Sequence, residues 1–184
     1  MDIALDKKYT YADYLTWDDD VRRELFDGII SLMPGVNHKH QFTSNRLLKR
    51  FFIFLEEKPC EVFHPPSDVR LSPNNGDHTV VQPDIFVVCD LSKLDGQSCV
   101  GPPDLVIEIL SPSSILRDTM KKFKLYQSAG VPEYWVVDPD NKLIIVCLLK
   151  NGIYDVTEYA VNDTIAVKTL EGLEIKVADV FKKV

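Results

Sequence analysis

The sequence predicts a mixed α/β fold, a central sheet flanked by helices, with an extra β hairpin towards each end. Three observations lead there. Between Gln82 and Asp138 the chain reads strand, strand, helix, strand, the order of a mixed sheet with a crossover helix. From His38 to about Glu57 apolar residues recur with helical spacing. On either side of these stretches, short apolar runs alternate with turn residues, as hairpins require.

Taken in order, Thr10 is placed to cap a short helix over YADYLTWDD. RRELFDGIISLMPG then reads as two strands around a turn at Asp27-Gly28, a strong hairpin signal. On a 100° wheel for the next helix, His40, Leu47, Leu48, Phe51, Phe54 and Leu55 share one face, while Arg46 and Arg50 lie away from it. That helix ends before Pro59. CEVFHPPSDVRLSP gives one or two strands broken at Pro65-Pro66, and Asn74-Asn75-Gly76-Asp77 is a turn. TVVQPDIFVV is strand-like, but Pro83 lacks a ladder donor, so it marks a bulge or a junction of two strand pieces.

Leu94 to Pro103 is a connector with Gly and Pro. DLVIEIL is a buried strand, too short for a helix and rich in branched residues. Ser111 to Asp118 forms a loop and helix entry, the helix runs from about Thr119 to Ser128, and Gly130 is a natural residue to stop it. YWVVDP and LIIVCLL are strands joined by a turn at Asp138–Asn141, and IYDVTEY and the tail from Thr164 to Val177 add further β structure.

Composition narrows the class. The 184 residues suit a single domain spanning 1–184, and 45% apolar content is ordinary for a globular chain. A net charge of −7 argues against coating nucleic acid or anionic membrane by bulk charge, but leaves room for a local basic groove. The four cysteines, Cys60, Cys89, Cys99 and Cys147, have no CxxC spacing and read as reduced core thiols of a cytoplasmic protein. MDIALDKKYT has no apolar signal core, and no run approaches 18 apolar residues, so secretion and membrane spanning are not expected.

Two acids stand out because they sit in apolar runs: Asp84 beside IFVV and Glu108 inside LVIEIL. Burying an isolated carboxylate is costly. On neighbouring strands the two would lie about 5 Å apart and repel by roughly 3 kcal/mol at an effective dielectric of about 20. One acid must then take up a proton, or a metal ion or a lysine must neutralise the pair. On the helix wheel, Lys122 falls at the margin of the inward face, whereas Arg117, Lys121 and Lys124 form an outer basic stripe suited to phosphate. Two carboxylates and an ammonium around Mg²⁺ make a phosphodiester-cleaving set, because hard oxygens suit the ion and the ion activates water.

These residues carry a family resemblance. QPD, PPDLVIEILSPSS, and the run of aspartate, lysine, tyrosine and GVPEYWVVDP, with ELFDG, MPG and His40 ahead of them, resemble the Uma-two family of "putative restriction endonucleases" in the PD-(D/E)XK nuclease superfamily. The likeness covers roughly Tyr9 to Tyr159. It implies a restriction-endonuclease-like mixed sheet and Mg²⁺-dependent hydrolysis of DNA, with Mn²⁺ able to substitute. It further implies that Asp84 and Glu108 act as catalytic metal ligands, with Glu24 completing the shell. The superfamily lysine would stand at position 110, where Leu110 is found, and the family pattern offers Lys122 instead.

The competing expectations are plainer. His40, a lone inward histidine, reads as a packed core or edge group. Glu133-Tyr134-Trp135 reads as packing at a strand start. Ser111 and Ser113-Ser114 lack a GxSxG context for a serine nucleophile. The rival function is a non-catalytic binding or assembly protein that keeps the fold. A homodimer is expected under either reading.

Overall fold

The computed structural model describes residues 7–33, 35–72, 76–111 and 116–182, with residues 116–118 described as backbone alone. Two sheets organise it. The smaller contains β1 (Arg23–Phe26), β2 (Ile29–Leu32), β4 (Asp68–Arg70), β5 (Val80–Val81) and β7 (Ser98–Val100), in the order β2-β1-β5-β4-β7. The larger contains β3 (Glu61–Phe63), β6 (Ile85–Val88), β8 (Leu105–Ile109), β9 (Glu133–Asp138), β10 (Leu143–Lys150) and β11 (Ile153–Tyr159), in the order β11-β10-β9-β8-β6-β3. A two-stranded ribbon, β12 (Thr164–Ala166) and β13 (Glu174–Lys176), follows towards the C-terminus. The helices are α1 (Tyr11–Tyr14), α2 (His38–Leu55), α3 (Leu116–Ala129) and α4 (Val177–Val180). The fold is mixed α/β, as the element order indicates.

Local chemistry sets the boundaries. Thr10 and Asp13 form a reciprocal capping box on α1. That helix stops at Tyr14 and does not run on through Asp19. The Thr16 hydroxyl donates to the Asp13 carbonyl at 2.6 Å, and the Trp17 N–H bonds the Tyr14 carbonyl three residues back, which together close the turn. The β1–β2 hairpin turns on Asp27 (φ 52°) and Gly28 (φ 81°), the left-handed pair that a two-residue turn demands. A Cβ on Gly28 would lie 2.7 Å from Lys8 Cβ, so the position is closed to larger residues twice over. Asn37 caps α2 by accepting from the His40 N–H at 2.9 Å. At the other end of α3, the Val131 N–H bonds the Tyr126 carbonyl and the Gly130 N–H bonds that of Gln127, a Schellman stop with Gly130 at φ 83°.

β8, α3 and β9 form the crossover unit: β8 and β9 are parallel, and α3 connects them. Side chains alternate across the larger sheet. Ile107, Ile109, Trp135 and Val137 face α2 and the C-terminal elements. Phe86, Val106, Tyr134 and Val136 face Tyr126 of α3 together with Phe26, Val69 and Val81 of the smaller sheet. Glu133, Tyr134 and Trp135 are fully buried, so their role is packing; Glu133 accepts from Trp135 Nε1 at 2.9 Å and from the Thr169 N–H at 2.8 Å.

Several expectations are corrected. Cys60 and Cys89 are not free thiols. The β3–β6 register, which pairs Glu61 with Val88, sets them opposite each other, and they form a disulfide. Cys99 and Cys147 are free and buried, as the reading of core thiols has it, and burial pushes their pKa values up to about 11 and about 12. The connector from Leu94 to Pro103 contains β7, which pairs in parallel with β4. The helix expected from Thr119 begins at Leu116. Asn74, Asn75, the proline of MPG, Ser113 and Ser114 lie outside the described residues.

Candidate active site

The site forms where the two sheets meet, and the QPD run makes the joint. Val80–Val81 pair in the smaller sheet and Ile85–Val88 in the larger, so the strand changes sheets at Gln82-Pro83-Asp84. Gln82 stays with the first sheet: its backbone N–H donates to Glu24 Oε1 at 3.0 Å, and its side-chain amide donates to Asp68 at 2.9 Å. Asp84 belongs to the second: its Oδ2 accepts from the Ile109 N–H at 2.8 Å and is 3.0 Å from His40 Nε2.

The β6–β8 register pairs Ile85 with Ile107. One step further, Asp84 stands opposite Glu108, and antiparallel partners share a face. A proton, a metal or a lysine can offset such a pair. In this structure Lys122 lies beside Glu108: its Nζ donates to Glu108 Oε1 at 2.8 Å and to Glu24 Oε1 at 2.9 Å. One turn further along α3, the Tyr126 hydroxyl donates to the same Glu108 oxygen at 2.7 Å.

Burial decides the charge states. Glu108 has its pKa pushed up to about 7, chiefly by loss of water; Lys122 pulls it down, while Asp84 and Glu24 raise it. Burial alone would pull Lys122 down, but Glu108 and Glu24 outweigh it and hold the ammonium above its ordinary range. Tyr126 is raised well above the usual phenol value, first by burial and then by Glu108, so it remains a donor.

Glu24, Asp84, Glu108 and Lys122 line one cavity of about 120 Å³, together with His40 and Tyr134. The Tyr134 hydroxyl and His40 Nδ1 are buried there, with no hydrogen-bond partner among the described residues. Lys121 lines the same cavity, with its Nζ 3.8 Å from the centre of the Phe26 ring. Lys124 is exposed further along α3. The Arg117 side chain lies outside the described residues.

A divalent ion can be tested against this donor set. Among the described residues no group of three or more His, Cys, Asp and Glu side chains is gathered as a ready cage. Glu24, expected as a third ligand, has one oxygen, Oε1, engaged by Lys122 and the Gln82 N–H, the same half-engaged state as the other two acids. The described bonds to Asp84 fall on Oδ2 and those to Glu108 on Oε1, so that Asp84 Oδ1 and Glu108 Oε2 are the candidate hard donors on facing positions. Mg²⁺ commonly takes one or two carboxylates and keeps several waters, so the pair fits that ion without a third acid.

Three residues of the family-like runs have contacts at the site that their sequence context does not give. His40 is a partner of Asp84, 44 residues away, as well as part of the packed face of α2. Tyr126 sits four residues after Lys122, a spacing that does hint at a shared target. Gln82 anchors Glu24 through its backbone, which no side-chain pattern reveals.

The fold and site together define a nuclease-like protein, built on a mixed sheet with an acid–acid–lysine cluster at its seam. The model of the Uma2 family, described as "Putative restriction endonuclease", matches residues 11–178, and the chain belongs to that family. It is similar to "Uncharacterized protein slr1290" of Synechocystis sp. (strain ATCC 27184 / PCC 6803 / Kazusa), at 28% identity over 179 residues, covering 95% of this chain and 92% of that protein. In fold it is similar to a crystal structure of a "putative nuclease belonging to DUF820" from Anabaena variabilis ATCC 29413. That likeness has a TM-score of 0.76 at 19% identity and covers 94% of this chain and 97% of the other. No helix among the described residues is long and apolar enough to cross a membrane.

Proposed function

We propose that the chain hydrolyses DNA phosphodiester bonds, with Asp84 and Glu108 holding Mg²⁺, or Mn²⁺ in its place. The observation that carries this reading is Lys122 reaching Glu108 and Glu24 from α3 while Asp84 stands opposite Glu108. When bound, the ion supplies a Lewis acid that polarises the phosphate and activates water. His40 and the Ile109 N–H hold one Asp84 oxygen and so aim the other. Tyr126 and Lys122 do the same for Glu108. The Lys122 ammonium, kept positive by two acids, stabilises charge developing on the phosphate oxygens. Glu24 anchors that ammonium. Lys121 and Lys124 contact flanking phosphates.

The test combines plasmid cleavage with thermal melting. The wild type is expected to cleave in Mg²⁺ or Mn²⁺ and not in EDTA, and to melt at a higher temperature when either ion is added. Asp84→Asn should lose most of that thermal increment and the cleavage with it. An equal metal-induced shift in the variant would reject Asp84 as a ligand.

A homodimer rests on a separate observation. β2 is an outer strand of the smaller sheet and exposes Ile29, Ile30 and Leu32, the last by 66%. An apolar edge of this kind is ordinarily covered, and we place a second copy on it. Sedimentation velocity should show a dimer; a monomer at high micromolar concentration would remove the idea. A dimer that binds no metal and cleaves no nucleic acid would favour the non-catalytic assembly reading.

A further inference from the structure

We propose that a single strand of DNA leaves the acid cavity along α2, in a groove that this helix shares with Arg22 and His64. The inference rests on the nuclease reading, because it names where the substrate of that site continues. A groove of about 790 Å³ adjoins the cavity, and the two share Val36, His40 and Asp84 as lining. From there it follows one face of α2, where Gln41, Asn45, Lys49 and Phe52 succeed one another at three- and four-residue spacing. From His40 to Ile53 the helix rises about 20 Å.

Charge favours a polyanion. Arg22, Lys49 and His64 line the groove, and Asp84 at its mouth is the sole acid among its lining residues. In a chain of net charge −7 this is a local reversal of sign. Arg22 is held in place, since its Nε and Nη2 donate to Gln82 Oε1 at 3.1 and 3.0 Å. The reversal ends with the helix: the next depression is lined by Glu56 and Glu61.

The choice of a single strand comes from an aromatic residue one turn beyond Lys49. Phe52 is 50% exposed, although the opposite face of α2 is packed into the core. An exposed ring inside a cationic groove is a stacking surface for a base, and stacking tolerates any sequence. A blunt duplex covers its base faces and offers only phosphates, so it gains nothing from Phe52.

The experiment uses the whole chain in Ca²⁺ and measures anisotropy of a labelled single-stranded oligonucleotide and of the blunt duplex of the same sequence, over a salt series. Lys49→Glu and Phe52→Ala change exposed positions, and melting checks that each variant is folded. Each is expected to weaken single-strand binding at least fivefold, and Phe52→Ala to weaken duplex binding less than twofold. Lys49→Gln should flatten the logarithmic salt dependence for the single strand by about 0.7, the loss of one phosphate contact. Wild-type single-strand affinity in folded Lys49→Glu and Phe52→Ala, with metal-dependent cleavage intact in the parent, overturns the groove and leaves the nuclease reading standing. Equal losses for strand and duplex in Phe52→Ala overturn the single-strand assignment. A parent protein that binds neither in Ca²⁺ and cleaves neither in Mn²⁺ overturns both readings together.

Discussion

Lys122→Ala is expected to abolish measurable turnover and to destabilise the fold by about 3–5 kcal/mol near pH 8, the cost of leaving buried partners unpaired. The side chains of Lys122, Glu24 and Glu108 are all mostly buried, and the ammonium donates to both acids. Without it, two carboxylates face each other across a sheet joint with no cation between them. The loss should depend on pH in a definite direction. Glu108 has a folded pKa raised from 4.5 to about 7, so its contribution to stability is fully present below about 4.5 and is lost as pH rises through about 7. Removing Lys122 raises that folded value further. The deficit of the variant should therefore be larger at pH 8 than at pH 5, where Glu108 is already protonated in the wild type. Lys121→Ala is the contrast. Lys121 is exposed and rests on the Phe26 ring, so its loss should leave the melting temperature unchanged, weaken DNA binding and flatten its salt dependence. Melting curves at the two pH values, with cleavage and binding assays, decide the matter. If Lys121→Ala stops turnover and Lys122→Ala does not, the catalytic assignment is wrong.

Glu108→Gln should separate function from stability in the opposite sense. The amide keeps the shape of the side chain and an oxygen that accepts from Lys122 and Tyr126. It removes a charge that the fold holds at a disadvantage, because ionising Glu108 above pH 4.5 costs more in the folded chain than in the unfolded one. The variant is therefore expected to melt at or above the wild-type temperature at pH 8. As a carboxylate ligand has been lost, turnover should fall about a thousandfold, the rate equivalent of several kcal/mol. A variant that cleaves DNA normally would exclude Glu108 from the chemistry. One that melts well below the wild type would show that its charge is needed to hold Lys122.

Much of this arrangement was legible in the sequence because it depends on local periodicity. The buried face of α2, the Asp27-Gly28 turn, the stop at Gly130 and the break at Pro83 each follow from residues close together in the chain. The inward phase of Lys122 follows from helical geometry, and its bonds to Glu108 and Glu24 agree with it. What was not legible depends on which distant strands pair. β7 hides in a connector with Gly and Pro because its three residues gain their order from β4. The Cys60–Cys89 bond depends on the β3–β6 register, and the His40–Asp84 contact on docking α2 beside the sheet joint. No spacing within the chain encodes either. Leu110 marks a third case: the motif position holds no lysine, the helix wheel offers Lys122 in its place, and the path of α3 brings that ammonium to Glu108 and Glu24.

The seam between the sheets also bears on the order in which the protein is made. Glu24 comes from the smaller sheet, Glu108 from the larger, and Lys122 ties them from a helix that follows both in the chain. A nascent chain that has emerged only as far as β8 holds all three acids but not the lysine, and β9, against which β8 pairs in parallel, has yet to appear. Such a fragment gathers its acids without the ammonium that offsets them in the whole chain. The proposed hydrolytic competence thus arrives late in synthesis and together with the completed sheet, so a truncated product of translation would carry Glu24, Asp84 and Glu108 without Lys122.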